Sequence, residues 1–202
     1  MNYLLVTLLW IAYCVLHSYL ISMTVTSAAS RLLRRYYAFY RLFYVALSLV
    51  LLIPLLDYTA QMKSEVIVTY GHPLSVVRHG LMGAALLLFF WAFFFDYDSL
   101  SFFGIRQMLD FGKAVESKPP GALKRKGLLG VTRHPMYLAL IVYLWCQTFR
   151  TVDVILNTVL TIYVIVGTWL EEKKLVLEFG DSYRKYQREV PMLIPFTKAK
   201  AR

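Results

Sequence analysis

The chain has 202 residues, of which 58% are hydrophobic and 17% charged, and a net charge of +10. Its mean hydropathy of +0.54 is too high for a soluble domain, whose apolar share is about half; the composition describes a polytopic membrane protein. A strong basic excess also suits nucleic acid, but no charged and aromatic soluble module accompanies it here, so no nucleic-acid partner is expected.

The distribution of the basic residues sets the expected topology. Of the 22 Lys and Arg, four lie between Met23 and Leu42, seven between Asp96 and His134, and eight after Glu172. Basic connections alternate with nearly neutral ones, as the positive-inside rule predicts, and the basic ones are assigned to the cytoplasm. The first span, about Asn2 to Met23, lacks a basic start and a small-residue cleavage site, so it is read as a retained helix with its N-terminus outside. A second span is predicted from about Tyr37 to Leu56, with Pro54 near its end. The connection from Asp57 to Pro73 reads as an external loop. A third span, about Leu74 to Phe95, returns to Asp96-Tyr97-Asp98-Ser99 on the cytoplasmic side.

Residues 99–132 are not a span. Phe102, Phe103, Ile105, Met108, Leu109 and Phe111, interleaved with Arg106, Gln107, Asp110 and Lys113, predict a connector helix lying in the interface. Lys118-Pro119-Pro120-Gly121 then breaks the structure. Two apolar runs follow, Met136 to Phe149 and Val154 to Leu170, separated by Arg150-Thr151-Val152-Asp153. The second rises roughly 26 Å, close to the thickness of a bilayer core. Helices joined by so short a link run antiparallel, which brings Arg133-His134-Pro135 and Glu171-Glu172 to one membrane face. Beyond them, Leu175, Val176, Phe179, Tyr183 and Tyr186 recur at spacings of three and four, predicting an amphipathic C-terminal helix over Glu171 to Glu189. The expected fold is therefore all-α: a bundle of five transmembrane helices with an interfacial connector helix and an amphipathic C-terminal helix. Residues 1–98 form a three-span bundle, 99–132 a cytoplasmic connector and lid, and 133–202 a helical hairpin and tail, integrated as a single domain.

Chemistry is expected where the hairpin ends meet. His134 and Tyr137 are three apart on one helix face, Pro135 suits a first helical turn, and the two glutamates lie opposite. His17 beside Ser18 is an intramembrane histidine, costly unless partnered; it is either a base or a hydrogen-bonding residue of the bundle. His72, His79 and Arg78 fall at the opposite face. The four histidines are scattered, and Cys14 and Cys146 sit in apolar helices as packing residues. No metal-ligand spacing and no phosphate or dinucleotide loop appears, and no metal is expected.

The ordered set Gly127-Leu128-Leu129-Gly130-Val131-Thr132-Arg133-His134-Pro135-Met136-Tyr137, then Glu171-Glu172, Phe179-Gly180, Tyr183, Tyr186 and Val190-Pro191-Met192-Leu193-Ile194-Pro195, resembles the membrane methyltransferases related to isoprenylcysteine carboxyl methyltransferase. The hairpin wording, from Thr151 to Leu156 and Thr161-Ile162-Tyr163, and His17-Ser18 are most similar to bacterial methanethiol S-methyltransferase-like and NnrU-like members. The resemblance covers roughly the last 80 residues, and the first 100 match only in hydrophobic pattern. It implies an S-adenosylmethionine-dependent enzyme of the bacterial inner membrane, with the cofactor at the cytoplasmic ends of the last two helices and the acceptor arriving from the membrane lipid. His134, Pro135, Met136 and Tyr137 would line the cofactor, Glu171 and Glu172 would meet its polar end, and Gly121, Ala122, Leu123 and Lys124 would cover it. Leu129 stands where relatives often carry Tyr. Arg133 is the electrostatic candidate for the cofactor carboxylate, and His17 the candidate base.

One departure bears on the acceptor. Eukaryotic relatives carry an Arg about four residues before the first Glu, credited with holding the prenylcysteine carboxylate, and this chain has Gly167 there. A buried carboxylate without that cation is costly, so a small or neutral acceptor such as a thiol fits better than an isoprenylcysteine-like compound; a lipid amine is a further option. Two rival readings come from other classes: a non-catalytic NnrU-like membrane partner of a respiratory or nitrogen-oxide system that keeps the fold, and a relative of the membrane sterol reductases, which share a similar C-terminal helix arrangement and use NADPH.

Overall fold

The computed structural model describes residues 3–111 and 125–197. In chain order the elements are α1 (Tyr3–Ile21), α2 (Met23–Leu33), a 3-10 turn (Arg34–Phe39), α3 (Tyr40–Gln61), β1 (Val66–Val68), α4 (Leu74–Trp91) running into a π turn (Ala92–Asp96), α5 (Ser99–Phe102), α6 (Ile105–Leu109), a 3-10 turn (Gly127–Gly130), α7 (Pro135–Trp145), β2 (Phe149–Arg150), α8 (Thr151–Phe179) and α9 (Asp181–Glu189). The fold is helical, with one two-stranded pairing of β1 and β2.

Among the described residues four stretches are long and apolar enough to cross a membrane: Tyr3–Ile21, Met23–Gln61, Leu74–Asp96 and Thr151–Phe179. Their outward faces carry exposed Leu4, Val50, Ile53 and Leu87, which suits hydrocarbon and not water. Helix α7 has 11 residues and rises only about 16 Å. The apolar run expected to reach Phe149 breaks after Trp145, where the Cys146 amide turns back to the Tyr143 carbonyl and the chain opens into β2.

Two other boundaries differ from expectation for reasons visible in the backbone. The connector is two short helices, α5 and α6, because Gly104 between them has φ +81°; a Cβ there would lie 2.7 Å from the Leu42 amide nitrogen. No other residue fits that approach without moving a helix. The C-terminal amphipathic segment is likewise divided, since α8 continues to Phe179 and Gly180, at φ +56°, turns the chain into α9. Gly121, Ala122, Leu123 and Lys124 lie outside the described residues.

The chain divides into two compact units, each discontinuous in sequence. The first comprises Met1–Ile67, Ser99–Val115 and Phe149–Leu160. Its core joins Val6 and Trp10 to Leu55 and Val152. The Trp10 indole N–H donates to Thr59 Oγ1 at 3.0 Å, and the Thr59 hydroxyl passes its own proton to the Leu55 carbonyl at 2.7 Å, so neither buried polar group goes unsatisfied. Arg150 ties this unit's chain crossings: it pairs with Asp153 at 2.9 Å and donates to the Ala60 and Met62 carbonyls at 3.2 and 3.3 Å. Beside it the Thr151 amide donates to the Glu65 carbonyl at 3.0 Å, and the Val152 amide to Ser64 Oγ at 3.1 Å.

The second unit comprises Val68–Asp98, Glu116–Thr148 and Thr161–Arg202. Here α4 packs along α7, with Ala92, Phe93 and Met136 buried between Phe89, Tyr97, Leu128 and Tyr137. A second cluster places Tyr183, Tyr186 and Val190 of α9 and its exit against Leu175, Val176 and Phe179 of α8. The buried pair Tyr183 and Tyr186 is three residues apart, one face of a helix whose other positions are charged or polar.

Candidate functional site

The site is built on the second unit's α7, where the chain enters the helix. Pro135 occupies the first helical position, with its φ preset and no N–H to satisfy. Thr132, Arg133, His134, Pro135 and Met136 are all buried. Helix α8 comes back beside α7: Trp145 Nε1 donates to Thr161 Oγ1 at 2.9 Å, and at the other end Tyr137 donates its hydroxyl proton to Glu171 Oε2 at 2.9 Å. Residue numbers fall on one helix as they rise on the other, so the pair is antiparallel and its polar ends meet.

Adjacent glutamates at that meeting point have different surroundings. Glu172, with its side chain 9% exposed, accepts four hydrogen bonds. Oε1 receives Arg133 Nε at 2.5 Å, His134 Nε2 at 3.3 Å and the Tyr183 hydroxyl at 3.4 Å, and Oε2 receives Gln187 Nε2 at 3.0 Å. The Arg133 guanidinium also donates to the Gln187 carbonyl at 3.0 Å and to the Val190 carbonyl. Arg133, expected at a cofactor carboxylate, is therefore committed to Glu172 and to the backbone at the end of α9. The pair is satisfied by added hydrogen bonds, the condition under which buried charges persist.

Glu171 is the outward member. Its side chain is 35% exposed, and Tyr137 is its hydrogen-bond donor. The His134 ring stacks almost parallel on Tyr137, with centroids 5.4 Å apart and planes 9° from each other. Because the Glu172 carboxylate can only accept, His134 Nε2 is the donor to it, and in the neutral tautomer with that proton Nδ1 presents a lone pair. That Nδ1 lies 3.8 Å from Glu171 Oε2, beyond hydrogen-bond reach, and is a buried atom without a hydrogen-bond partner. The result is a cluster of a part-exposed carboxylate and two stacked rings, one of them an imidazole with an unpartnered nitrogen.

Helix α4 closes one side. Its last turn widens to a π turn, with the Tyr97 amide donating to the Ala92 carbonyl at 3.0 Å; such turns recur at functional sites. Burial raises the Tyr97 phenol above its ordinary range, and the nearby charge of Glu171 adds to the effect. Asp96 Oδ1 lies 3.0 Å from where a Cβ on Gly127 would stand, and Gly127 has φ +68°. Leu129 is half-buried, its carbonyl accepting the Tyr186 hydroxyl at 2.5 Å. Met136 is in the apolar core beneath.

Methanethiol S-methyltransferase from Pseudomonas deceptionensis is 40% identical over 96 residues, which is 46% of this chain and 36% of that protein. Methanethiol S-methyltransferase 1 from Bradyrhizobium diazoefficiens is 38% identical over 106 residues, 52% of this chain and 37% of that protein. The Crocosphaera subtropica enzyme of the same name is 38% identical over 95 residues, 46% and 37% of the two chains. Over these stretches the chain is related to the methanethiol S-methyltransferases. The hairpin wording and His17-Ser18 pointed to proteins of this kind, and the Arg133–Tyr137 and Glu171-Glu172 pattern to the wider group related to isoprenylcysteine carboxyl methyltransferase. The chain spans a little over a third of the length of these relatives. No protein-family model and no solved structure matches it.

Against this methanethiol S-methyltransferase relationship, the expected residues divide by location. His134, Pro135, Met136, Tyr137, Glu171, Glu172, Arg133 and Leu129 all belong to the second unit. His17 belongs to the first, where the Tyr44 hydroxyl lies 2.7 Å from its Nε2 and Ser48 Oγ lies 3.2 Å from its Nδ1. Its ring also stacks on Tyr13, so it is a partnered residue of the α1–α3 packing. Among the described residues no group of His, Cys, Asp and Glu is arranged to hold a metal ion. Sequence reasoning passed over Tyr97, Thr132 and Gln187. Gln187, at one helical turn from Tyr183, carried a signal, because a polar residue on the buried edge of an amphipathic helix needs a partner.

Proposed function

We propose that this protein is an integral membrane methyltransferase that transfers a methyl group from S-adenosylmethionine to a small thiol. The reading rests on the cluster formed by Glu171, His134 and Tyr137, with the buried, unpartnered His134 Nδ1 at its centre. A buried acceptor left open costs about 1–3 kcal/mol, and a ligand bearing N–H or O–H donors offsets that cost. S-adenosylmethionine has such donors in its ammonium and ribose hydroxyls, and its net positive charge suits the Glu171 carboxylate and the aromatic faces. The donor set therefore fits the group. When bound, it supplies an electrophilic methyl on a sulfonium, open to in-line displacement.

The residues of this chain hold, orient and exclude water. Glu171 accepts from the polar end of the donor, and Tyr137 fixes that carboxylate by its own hydrogen bond. His134 offers Nδ1 because Glu172 keeps the proton on Nε2. Phe93, Leu128 and Met136 form the apolar floor that keeps the cluster dry, where alignment contributes most. A small acceptor accords with Gly167, which supplies no cation for an acceptor carboxylate, and with the names of the relatives.

The proposed topology has five passages. Arg150, Thr151 and Val152 are bonded to residues 60–65, so the exit of α3 and the start of α8 share a face. The fifth is assigned to α7 and its flanks, which run antiparallel to the later part of α8. By the positive-inside rule the face shared by α3 and α8 is external and the Glu171 cluster cytoplasmic, in the inner membrane of a bacterium, as the bacterial relatives support.

The test is titration calorimetry with S-adenosylhomocysteine in detergent, followed by transfer from radiolabelled S-adenosylmethionine to methanethiol. Wild type should bind and transfer. His134→Ala and Glu171→Ala should each lose binding, and His79→Ala, exposed and bonded to Ser75 and Arg78, should keep it. Normal binding in the first two variants, or binding of NADPH in place of the homocysteine, overturns the reading.

A further inference from the structure

The two amides that precede α7 find acceptors outside the helix. The Arg133 N–H donates to the Pro191 carbonyl at 3.0 Å and the His134 N–H to the Met192 carbonyl at 3.2 Å. Thr132, 3% exposed, donates its hydroxyl between the Met192 and Leu193 carbonyls, at 3.0 and 2.9 Å. Arg133 adds its bonds to Gln187 and Val190, and Tyr186 its bond to Leu129. Farther back, Arg125 donates to the Ser182 carbonyl and pairs with Glu189 at 3.4 Å. The lead-in to α7 is thus fastened along its length to α9 and to the segment after it.

This fastening acts on the backbone of the residue whose ring belongs to the cluster. His134 has φ −129° and ψ 65°, non-helical because the following Pro135 keeps it out of the helical region. The peptide on its N-terminal side is held by Met192, its carbonyl by the first helical bond from Leu138 at 3.1 Å, and its ring by Glu172 and Tyr137. Side-chain direction follows from backbone direction, so the strap at residues 190–193 helps aim Nδ1.

We propose that the strap formed by Val190, Pro191, Met192 and Leu193, latched by Thr132, is a positioning element for the donor-binding cluster. It touches no reacting group and acts through His134. The inference rests on the donor-binding reading above. Pro191 suits the strap because it has no N–H to compete for an acceptor, while its carbonyl remains free for Arg133.

Thr132→Val removes the latch at constant shape, and Thr132→Ser retains it. By calorimetry with S-adenosylhomocysteine, Thr132→Val should weaken the dissociation constant about tenfold, with Thr132→Ser within about twofold of wild type. In turnover, Thr132→Val should raise the KM for the donor more than it lowers kcat. A latch that serves folding alone would lower the binding stoichiometry and leave the dissociation constant of the folded fraction unchanged, and that outcome overturns the proposal. Should wild type bind no S-adenosylhomocysteine, the donor reading fails, and the strap is judged on the ¹⁵N shifts of the His134 ring. A change in those shifts in Thr132→Val, reversed in Thr132→Ser, upholds positioning; identical shifts in all three proteins overturn it.

Discussion

Glu171 and Glu172 are neighbours with opposed duties, and truncating each separates them. In Glu172→Ala the Arg133 guanidinium, 7% exposed, loses its counter-charge, while His134, Tyr183 and Gln187 each lose an acceptor. Breaking a buried pair from one side costs about 3–5 kcal/mol. Domains are stable by only about 5–15 kcal/mol, so the loss is a large part of the whole. At roughly 2–4 °C per kcal/mol for a chain of this size, the unfolding midpoint in detergent should fall by roughly 6–20 °C. Glu171→Ala removes a carboxylate that is a third exposed and breaks the bond from Tyr137, a change of about 1 kcal/mol and a few degrees. Its effect should fall instead on S-adenosylhomocysteine binding. Thermal unfolding followed by tryptophan fluorescence, with calorimetry on the same preparations, reads both properties. Equal loss of midpoint in the two variants, or a Glu172→Ala protein as stable as wild type, would refute the division.

Two further outcomes are expected. Gly104→Ala sets a Cβ 2.7 Å from the Leu42 amide nitrogen at φ +81°, a strain of about 1–3 kcal/mol, and should lower the unfolding midpoint while leaving the donor affinity of the folded protein unchanged. Burial pushes the Tyr186 phenol up to about 12 against the lowering influence of Arg133 and Arg125, whereas in the unfolded chain it titrates near its ordinary value of about 10. Its stabilising contribution is therefore intact below about pH 10 and disappears as pH rises through about 12. Tyr186→Phe should flatten the alkaline fall in unfolding midpoint over that window; an unchanged slope would show that other groups carry it.

The meeting of Arg133–Tyr137 with Glu171-Glu172 was legible because it needs only two apolar runs, a short polar break and the antiparallel geometry these impose. The different roles of the glutamates were not. Successive residues on a helix point about 100° apart, so one of the two turns inward, but which one depends on Tyr183 and Gln187 after the bend at Gly180. The pairing of Arg133 was hidden for the same reason: the sequence matched its cation to an expected ligand, and the buried Glu172 carboxylate stands beside it. The connector read as one amphipathic helix because the apolar spacing runs straight across Gly104. Only the proximity of the Leu42 backbone, a tertiary fact, makes that glycine a break.

The charges around the cluster lead to one more expectation. Arg133 and Glu172 offset each other, and Lys173 is turned onto the Trp169 ring at 3.3 Å. Glu171, a third exposed, is a carboxylate beside the His134 and Tyr137 rings, and among the described residues no Lys or Arg pairs with it as Arg133 does with Glu172. On the proposed function, methyl transfer lowers the charge of the bound ligand by one, since a sulfonium becomes a thioether. A site with this electrostatic bias should hold the donor more firmly than the product and so favour product release. With Glu171 a third exposed and screened by solvent, the difference should be about 1 kcal/mol or less, a few-fold in dissociation constant, and should shrink as salt is added. Calorimetry with S-adenosylmethionine and S-adenosylhomocysteine at two ionic strengths measures it directly. Glu171→Gln, retaining the shape and losing the charge, should bring the two affinities together; a preference for the donor that survives in Glu171→Gln would assign the discrimination to the aromatic faces and not to the carboxylate.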